Sequence, residues 1–300
     1  HGTTIGSLSV SGYGSDMRKG MGSLVPDVHF IPFPDSYRGK RTEECLESFR
    51  ELITMIVPAE SIAAVIYEPI QGDAGILIPE QAFYIEVEKI CRENGILLIA
   101  DEVHTGFGRT GAMFASELFH IDPDIIVLGK AIAAGMPLSA IVGRKEIMEA
   151  WHTPVHFFNT AGNPVSCAAA TASIEVIEEE HLLENAVTVG NYMMERFKDM
   201  MTRHECIGDV RGSGLMIGVD IVKNRESKER DVQTTAKICY RCWEKGVILA
   251  FFSGCVLRVE PPLTMTMEEA KDALDIVEAS ITDVENGLVP DSAVDQVRGL

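Results

Sequence analysis

The apolar positions of this chain fall into short runs separated by stretches of helical period. Ile62 to Tyr67 is an apolar run halted by Glu68-Pro69, which predicts a buried strand, since the residue before a proline is held extended and the proline stops the ladder. From Pro79 to Asn94, Phe83, Val87 and Ile90 share one face, with a proline near the start and Gly95 past the end, the punctuation of a helix. Ile96 to Ala100 and Ile125 to Leu128 are again strand-like, followed by Asp101 and by Gly129-Lys130. Short strands alternating with helices imply an α/β class with a mainly parallel sheet.

The second half changes character. Pro164 to Glu180 and Leu183 to Arg203 have the period of long helices. Strand-like Leu215 to Val222 follows, then a helix near Thr234 to Lys245 and strand-like Val247 to Phe252 and Val256 to Val259. An amphipathic helix from about Met267 to Val284 comes last. The mixed order predicts a smaller α+β domain, giving a large domain over residues 1–185 and a small one over 186–300. The Gly-, Ser- and Pro-rich first forty residues suit loops, and the tail after Gly287 is expected to be loosely ordered.

Composition narrows the function. With 26 basic and 45 acidic residues the chain carries a net charge of −19, which repels phosphate backbones and argues against nucleic acid as a partner. No apolar run approaches the roughly 18 residues of a membrane span. The seven cysteines are odd in number and scattered, which suits reduced thiols and a cytoplasmic setting. The first residue is His1, so any targeting segment is expected to lie outside this sequence.

Candidate chemistry gathers behind the strands. Asp101 and Lys130 each follow a buried strand, at the sheet edge where open α/β folds bind ligands. Alone, each suits a solvated loop. Together they match the needs of pyridoxal phosphate, a lysine amine for the Schiff base and a carboxylate to keep the pyridine nitrogen protonated. Small residues around the lysine (Gly129, Ala131, Ala133, Ala134, Gly135) let a flat cofactor lie close to the backbone.

Rival motifs fail on context. Gly106-Phe-Gly108-Arg-Thr-Gly111 fits a dinucleotide pattern, but Asp101 to Thr105 separate it from its strand, and the next strand ends in Gly129-Lys130 without an acidic residue. Cys239 and Cys242 lie within a predicted helix with no second pair, as structural thiols would. His152 and His156 have Pro154 between them, which spoils a helical metal pair, and no metal site is expected. Arg258, in an apolar stretch, needs an anion, either a substrate carboxylate held by its fork or an internal salt bridge.

Six stretches, in order along nearly the whole chain, resemble the class III pyridoxal-phosphate-dependent aminotransferases, the family of ornithine, acetylornithine and 4-aminobutyrate aminotransferases. They are His1-Gly2-Thr3-Thr4, Glu68 to Asp73 (EPIQGD), Asp101 to Gly111 (DEVHTGFGRTG), Leu128-Gly-Lys130, Ala161 to Pro164 (AGNP) and Leu257 to Leu263 (LRVEPPL). The resemblance implies fold-type I, with a large domain on a mainly parallel sheet, a smaller C-terminal domain, and a homodimer with its active sites at the interface. It implies that Lys130 forms the Schiff base, Asp101 holds the ring nitrogen, and Val103 packs on one face of the ring. Arg258 would clamp the substrate carboxylate, and Glu68 and Gln71 would line the pocket. A threonine that reaches the neighbouring subunit's cofactor phosphate falls at Thr160, or one place earlier at Asn159.

Three departures matter. The family's phosphate loop and its ring-stacking aromatic fall before His1. His104 stands where the family usually has a glutamine on the cofactor's phenolic oxygen, and Asp73 where aminotransferases usually carry a glutamate facing the arginine. The stretches around Gly135 to Arg144, Asn163 to Cys167 and Lys237 to Cys242 are similar to isoleucine 2-epimerase and related racemases. Inverting a Cα needs a proton removed from one face and returned on the other, so Lys130 could serve one face and Asp73, one methylene shorter than glutamate and less able to reach Arg258, the other. The expectation is amino transfer between an amino acid and a 2-oxo acid, with racemisation as the close alternative. A chain without its phosphate loop could also be an inactive fragment.

Overall fold

The apolar runs of the first half pair with one another in the computed structural model, which describes residues 1–12, 14–150 and 158–297. Strands β1 (Ala64–Tyr67), β2 (Leu97–Asp101) and β3 (Ile125–Leu128) run parallel, and β4 (Ala140–Gly143) is the antiparallel neighbour of β3. The first three lie where the apolar pattern places them. Nothing in the pattern marks β4, whose Ile141 and Val142 are exposed and stand between an alanine and a glycine.

Helices cover this sheet. After the short α1 (Ile5–Ser9) and α2 (Ser15–Arg18), α3 (Thr42–Glu51) buries Cys45, Leu46 and Phe49 in a core shared with α4 (Gln81–Asn94). The α4 helix supplies Phe83, Tyr84 and Val87 to that core and stops at Gly95, whose φ of 68° is left-handed backbone that a glycine adopts without strain. Two further short helices, α5 (Ala115–Leu118) and α6 (Lys145–Met148), flank β3 and β4. The α7 helix (Pro164–Glu179) starts on Asn163, whose side chain accepts from the N–H groups of Val165 and Ser166.

Beyond α8 (Leu182–Arg203) the strands are antiparallel. The order is β5 (Ile207–Ser213), β6 (Met216–Asn224), β9 (Val256–Val259), β8 (Ala250–Phe252), with the two-residue β7 (Glu229–Arg230) on β6. The sequence pattern misses β5, because its glycines and charges break the alternation. Those glycines have a use: a Cβ on Gly212 would sit 2.4 Å from the Met216 carbonyl oxygen. One face of the sheet is covered by α8, α9 (Val232–Glu244) and α10 (Met267–Glu285), the last opened by a Thr266–Glu269 capping box. Met193, Phe197, Ile217, Val219, Leu257 and Leu274 meet in this core. Cys239 and Cys242 are buried there as free thiols.

The expectation of a loose tail after Gly287 is corrected. Residues Asp291–Gln296 form a 3₁₀ turn that buries Ala293, and Val294 and Val297 pack on the second core. Residues 291–297 are ordered because these apolar side chains find a surface, which local polarity does not reveal.

A charge cluster ties the two halves together. Fully buried Asp220 on β6 accepts two hydrogen bonds of 2.7 Å from Arg38 and one of 3.1 Å from Arg211. Arg211 on β5 also donates to the Gly75 carbonyl at 2.6 and 2.9 Å and to that of Ile76 at 3.1 Å. The turn at 72–76 is thus pinned to the second sheet although Ile76 has a φ of 56°, a conformation that β-branched residues avoid.

Candidate active site

The carboxyl ends of β2 and β3 set the site. At the end of β2, the chain turns sharply under Glu102, a fully buried carboxylate. It accepts from the N–H groups of Ala115 (3.0 Å) and Ser116 (2.7 Å), from the Ser116 hydroxyl, and from Thr105. Charge-assisted bonds of this kind fix the loop that carries Asp101, Val103 and His104. Sequence reasoning passed over Glu102, whose only signal is an acid beside Asp101. After β3, Lys130 takes a left-handed φ of 44°.

Asp101 is 3% exposed, and its Oδ1 accepts from the Val103 N–H at 3.1 Å. The flat imidazole of His1 bridges Asp101 Oδ1 (2.9 Å) and Lys130 Nζ (3.0 Å), and the His1 amine lies 2.5 Å from Oδ2. Val103 packs by Gly129, where an added Cβ would come within 3.2 Å of its Cγ1.

The lysine amine opens a polar chain. Lys130 Nζ lies 2.9 Å from His104 Nδ1, and His104 Nε2 lies 2.8 Å from Glu260 Oε1. Arg258 sends Nε to Glu260 Oε2 (2.5 Å), Nη2 to His104 Nε2 (2.6 Å) and Nη1 to Asp73 Oδ1 (3.3 Å), with its guanidinium over the Phe252 ring at 4.6 Å. The Asp73 contact is the long one of the three, in keeping with the shorter side chain, and Arg211 holds the turn at 72–76 that brings it within reach. Gly72 is required here, since a Cβ would meet His104 Nδ1 at 2.9 Å.

Electrostatics follow from this crowding. Lys130 keeps accessible surface, yet the protein packed around its amine, and then the Arg258 charge, hold its pKa below the usual lysine value against the pull of Asp73, Glu68 and Glu260. Burial pushes the Glu68 carboxyl up, although Oε2 accepts from the Gly72 N–H at 2.8 Å. Burial also opposes the charge on Glu260, but the His104 hydrogen bond and Arg258 outweigh it and hold that carboxyl below the usual range.

Lys130, Asp101, Val103, His104, Glu68, Asp73 and Arg258 thus converge. Gln71 joins through its backbone, paired with Leu77. Thr160 and Asn159 stand apart on an exposed turn. Glu260 is the member that sequence reasoning left without a role, and its signal was an acid two residues after Arg258. His152 and His156 lie outside the described residues.

The profile of the aminotransferase class-III family matches residues 1–281. The chain belongs to this family. It is 46% identical to the leucine/methionine racemase of Thermococcus litoralis over all of this chain and 69% of that protein. It is 41% identical to the isoleucine 2-epimerase of Lentilactobacillus buchneri over 96% of this chain and 66% of that one. An amine transaminase from an uncultivated Pseudomonas species, solved in its pyridoxal-phosphate-bound form, superposes with a TM-score of 0.87 at 32% identity, over 94% of this chain and 67% of that one. The chain spans about two thirds of the length of these relatives.

Pyridoxal phosphate is the cofactor that this family implies, and the residues present fit it. The span from the Asp101 carboxylate to the Lys130 amine holds the flat nitrogen ring of His1, and Gly129 leaves Val103 room to pack beside Lys130. Among the described residues no helix is long and apolar enough to cross a membrane.

Proposed function

We propose that this chain is the larger part of a pyridoxal-phosphate-dependent amino-acid racemase or 2-epimerase. Asp101 would hold the ring nitrogen and Lys130 the reactive carbon of the cofactor. Bound there, pyridoxal phosphate supplies an electron sink that makes the Cα proton of an amino acid removable. Arg258 would grip the substrate carboxylate with its fork, and Phe252 beneath it keeps the guanidinium in place.

One observation carries the reading. Nη1 of Arg258 faces Asp73, while Nη2 faces His104, which touches Lys130. A carboxylate held by this arginine therefore has a candidate base on either flank, which inversion requires: Lys130 moves the proton on one face of Cα and Asp73 on the other. The named activities of the 46% and 41% identical relatives support the same reading.

Amino transfer is the second reading. The Asp73–Arg258 contact favours it, since an acid that neutralises the arginine is useful where substrates with and without a second carboxylate take turns. The transaminase fold neighbour supports it as well. The full-length protein in deuterated water with L-leucine, L-methionine or L-isoleucine, and no oxo acid, separates the two. A product inverted at Cα and carrying deuterium there is expected. No inverted product from any of them, with rapid amino transfer to 2-oxoglutarate or pyruvate, would overturn racemisation.

Two organisational features belong to this proposal. Residues 1–185 would form part of the cofactor domain and 186–300 the small domain, supported by the separate core of α8, α9, α10 and the antiparallel sheet. A homodimer is supported by the exposed apolar side chains of Ile141, Val142, Phe158 and Val165, with Thr160 nearby in sequence.

A further inference from the structure

We infer that Arg109 is the positioning residue that sets the Arg258 clamp against the Lys130 loop. The inference rests on Arg258 gripping the substrate carboxylate, and it holds for inversion and for amino transfer alike.

The stretch Gly106 to Gly111, which fails as a dinucleotide loop, is the seat on which the antiparallel sheet docks. The Leu215 N–H donates to the Arg109 carbonyl at 3.0 Å, and the Ser213 hydroxyl to that of Thr110 at 2.9 Å. The backbones approach so closely that a Cβ on Gly214 would stand 2.5 Å from the Thr110 carbonyl carbon. A Cβ on Gly108 would lie 2.9 Å from Leu263 Cδ1. The stretch is therefore held against both the β5–β6 turn and the segment that follows β9.

The Arg109 side chain closes this contact. Strands β6 and β9 pair as far as Ile217 opposite Val259, a register that places Leu215 opposite Pro261 two residues further on. Pro261 and Pro262 have no N–H, so the ladder stops there and leaves carbonyl oxygens in need of donors. Arg109 Nη1 donates to both, at 3.1 Å to Leu215 and 2.5 Å to Pro261. Burial holds this guanidinium below the usual arginine pKa, with Glu260 favouring the charge and Arg258 opposing it. An arginine nonetheless stays charged at neutral pH, so both bonds are charge-assisted. One nitrogen thus fastens the end of the strand that carries Arg258 and Glu260 to the loop that carries Asp101, Val103 and His104. A substrate held at two points, by its carboxylate on Arg258 and its amine at the Lys130 end, needs that spacing fixed.

Binding of two ligands to the full-length, cofactor-loaded protein, followed by the cofactor's absorption band, tests this without turnover. L-leucine engages both points, whereas isopentylamine is leucine without its carboxylate and engages one. Arg109→Met should weaken L-leucine by about tenfold or more and leave isopentylamine within about twofold. Arg109→Lys should recover most of the loss, since a single nitrogen serves both carbonyls, and Arg109→Gln, with fewer donors and no charge, should fall between. Equal weakening of both ligands would mean general loosening of the fold and overturns the inference, as does unchanged L-leucine binding. Arg258→Lys separates this from the proposed function. If it weakens L-leucine and Arg109→Met does not, the positioning role alone is refuted; if Arg258→Lys has no effect, the clamp itself is refuted and the positioning role with it.

Discussion

Arg258 Nη1 and Asp73 Oδ1 lie 3.3 Å apart, at the long end of hydrogen bonding, whereas Arg258 Nε is 2.5 Å from Glu260. Glu260 is the principal counter-ion of the arginine, so a substrate carboxylate can displace Asp73 without stripping the guanidinium of its partner. On the proposed racemase reading, Asp73 would then act on Cα. Asp73→Asn should cut formation of the inverted amino acid by about 100-fold or more, equivalent to roughly 2.7 kcal/mol. Exchange of the Cα hydrogen with deuterated water should persist on the Lys130 face. Equal loss of both, measured by NMR and chiral chromatography, would remove Asp73 as a second base.

Lys130→Ala should abolish the covalent adduct that borohydride fixes between protein and cofactor. The lowered pKa of this amine makes it the reactive lysine of the cluster. A peptide still carrying reduced cofactor in the variant would refute the assignment.

Asp101→Asn keeps a side chain of the same shape in a position only 3% exposed, but removes the charge opposite the ring nitrogen. Turnover of the full-length enzyme should fall by more than about 100-fold, on the order of 3 kcal/mol of transition-state stabilisation. Near-normal turnover would exclude this role.

Asp220→Asn tests the clamp beneath the Asp73 turn. Burial opposes the Asp220 charge, but the Arg38 hydrogen bonds and the Arg211 and Arg38 charges prevail and hold its carboxyl below the usual aspartate value. A folded pKa below the unfolded value, about 3.9, means that the stabilisation is full above that pH and is lost as pH falls through the lower folded value. The wild type should lose this part of its stability below about pH 4. The variant should be weaker by about 3 kcal/mol at pH 7, with less further loss in acid. Urea unfolding at pH 7 and pH 3 reads both, and an unchanged pH 7 midpoint would show the cluster to be dispensable.

Much of this architecture is written locally. Ile125 to Leu128 is strand because three β-branched side chains and a leucine run together without a turn residue, and Asn163-Pro164 begins a helix because the asparagine caps and the proline suits the first turn. Asp101 and Lys130 were legible as partners because they stand at the carboxyl ends of neighbouring parallel strands, Asp101 closing β2 and Lys130 two residues past β3, so adjacency of strands brings them to one edge. Neither β4 nor β5 had such a signal, the first with only Ile141 and Val142 between an alanine and a glycine and the second interrupted by Gly208 and Gly212.

The sequence alone therefore determined the strands and helices, the edge at which chemistry occurs, and the pair Asp101 and Lys130, since these depend on periodicity and strand ends. Tertiary structure alone decided that Glu260 meets His104 across 156 residues of chain, that Arg258 reaches Asp73 across 185, and that Arg211 pins the intervening turn. The physical reason is that such distances depend on how the antiparallel sheet packs against the parallel one, through buried charges such as Asp220 whose partners lie far away in the chain.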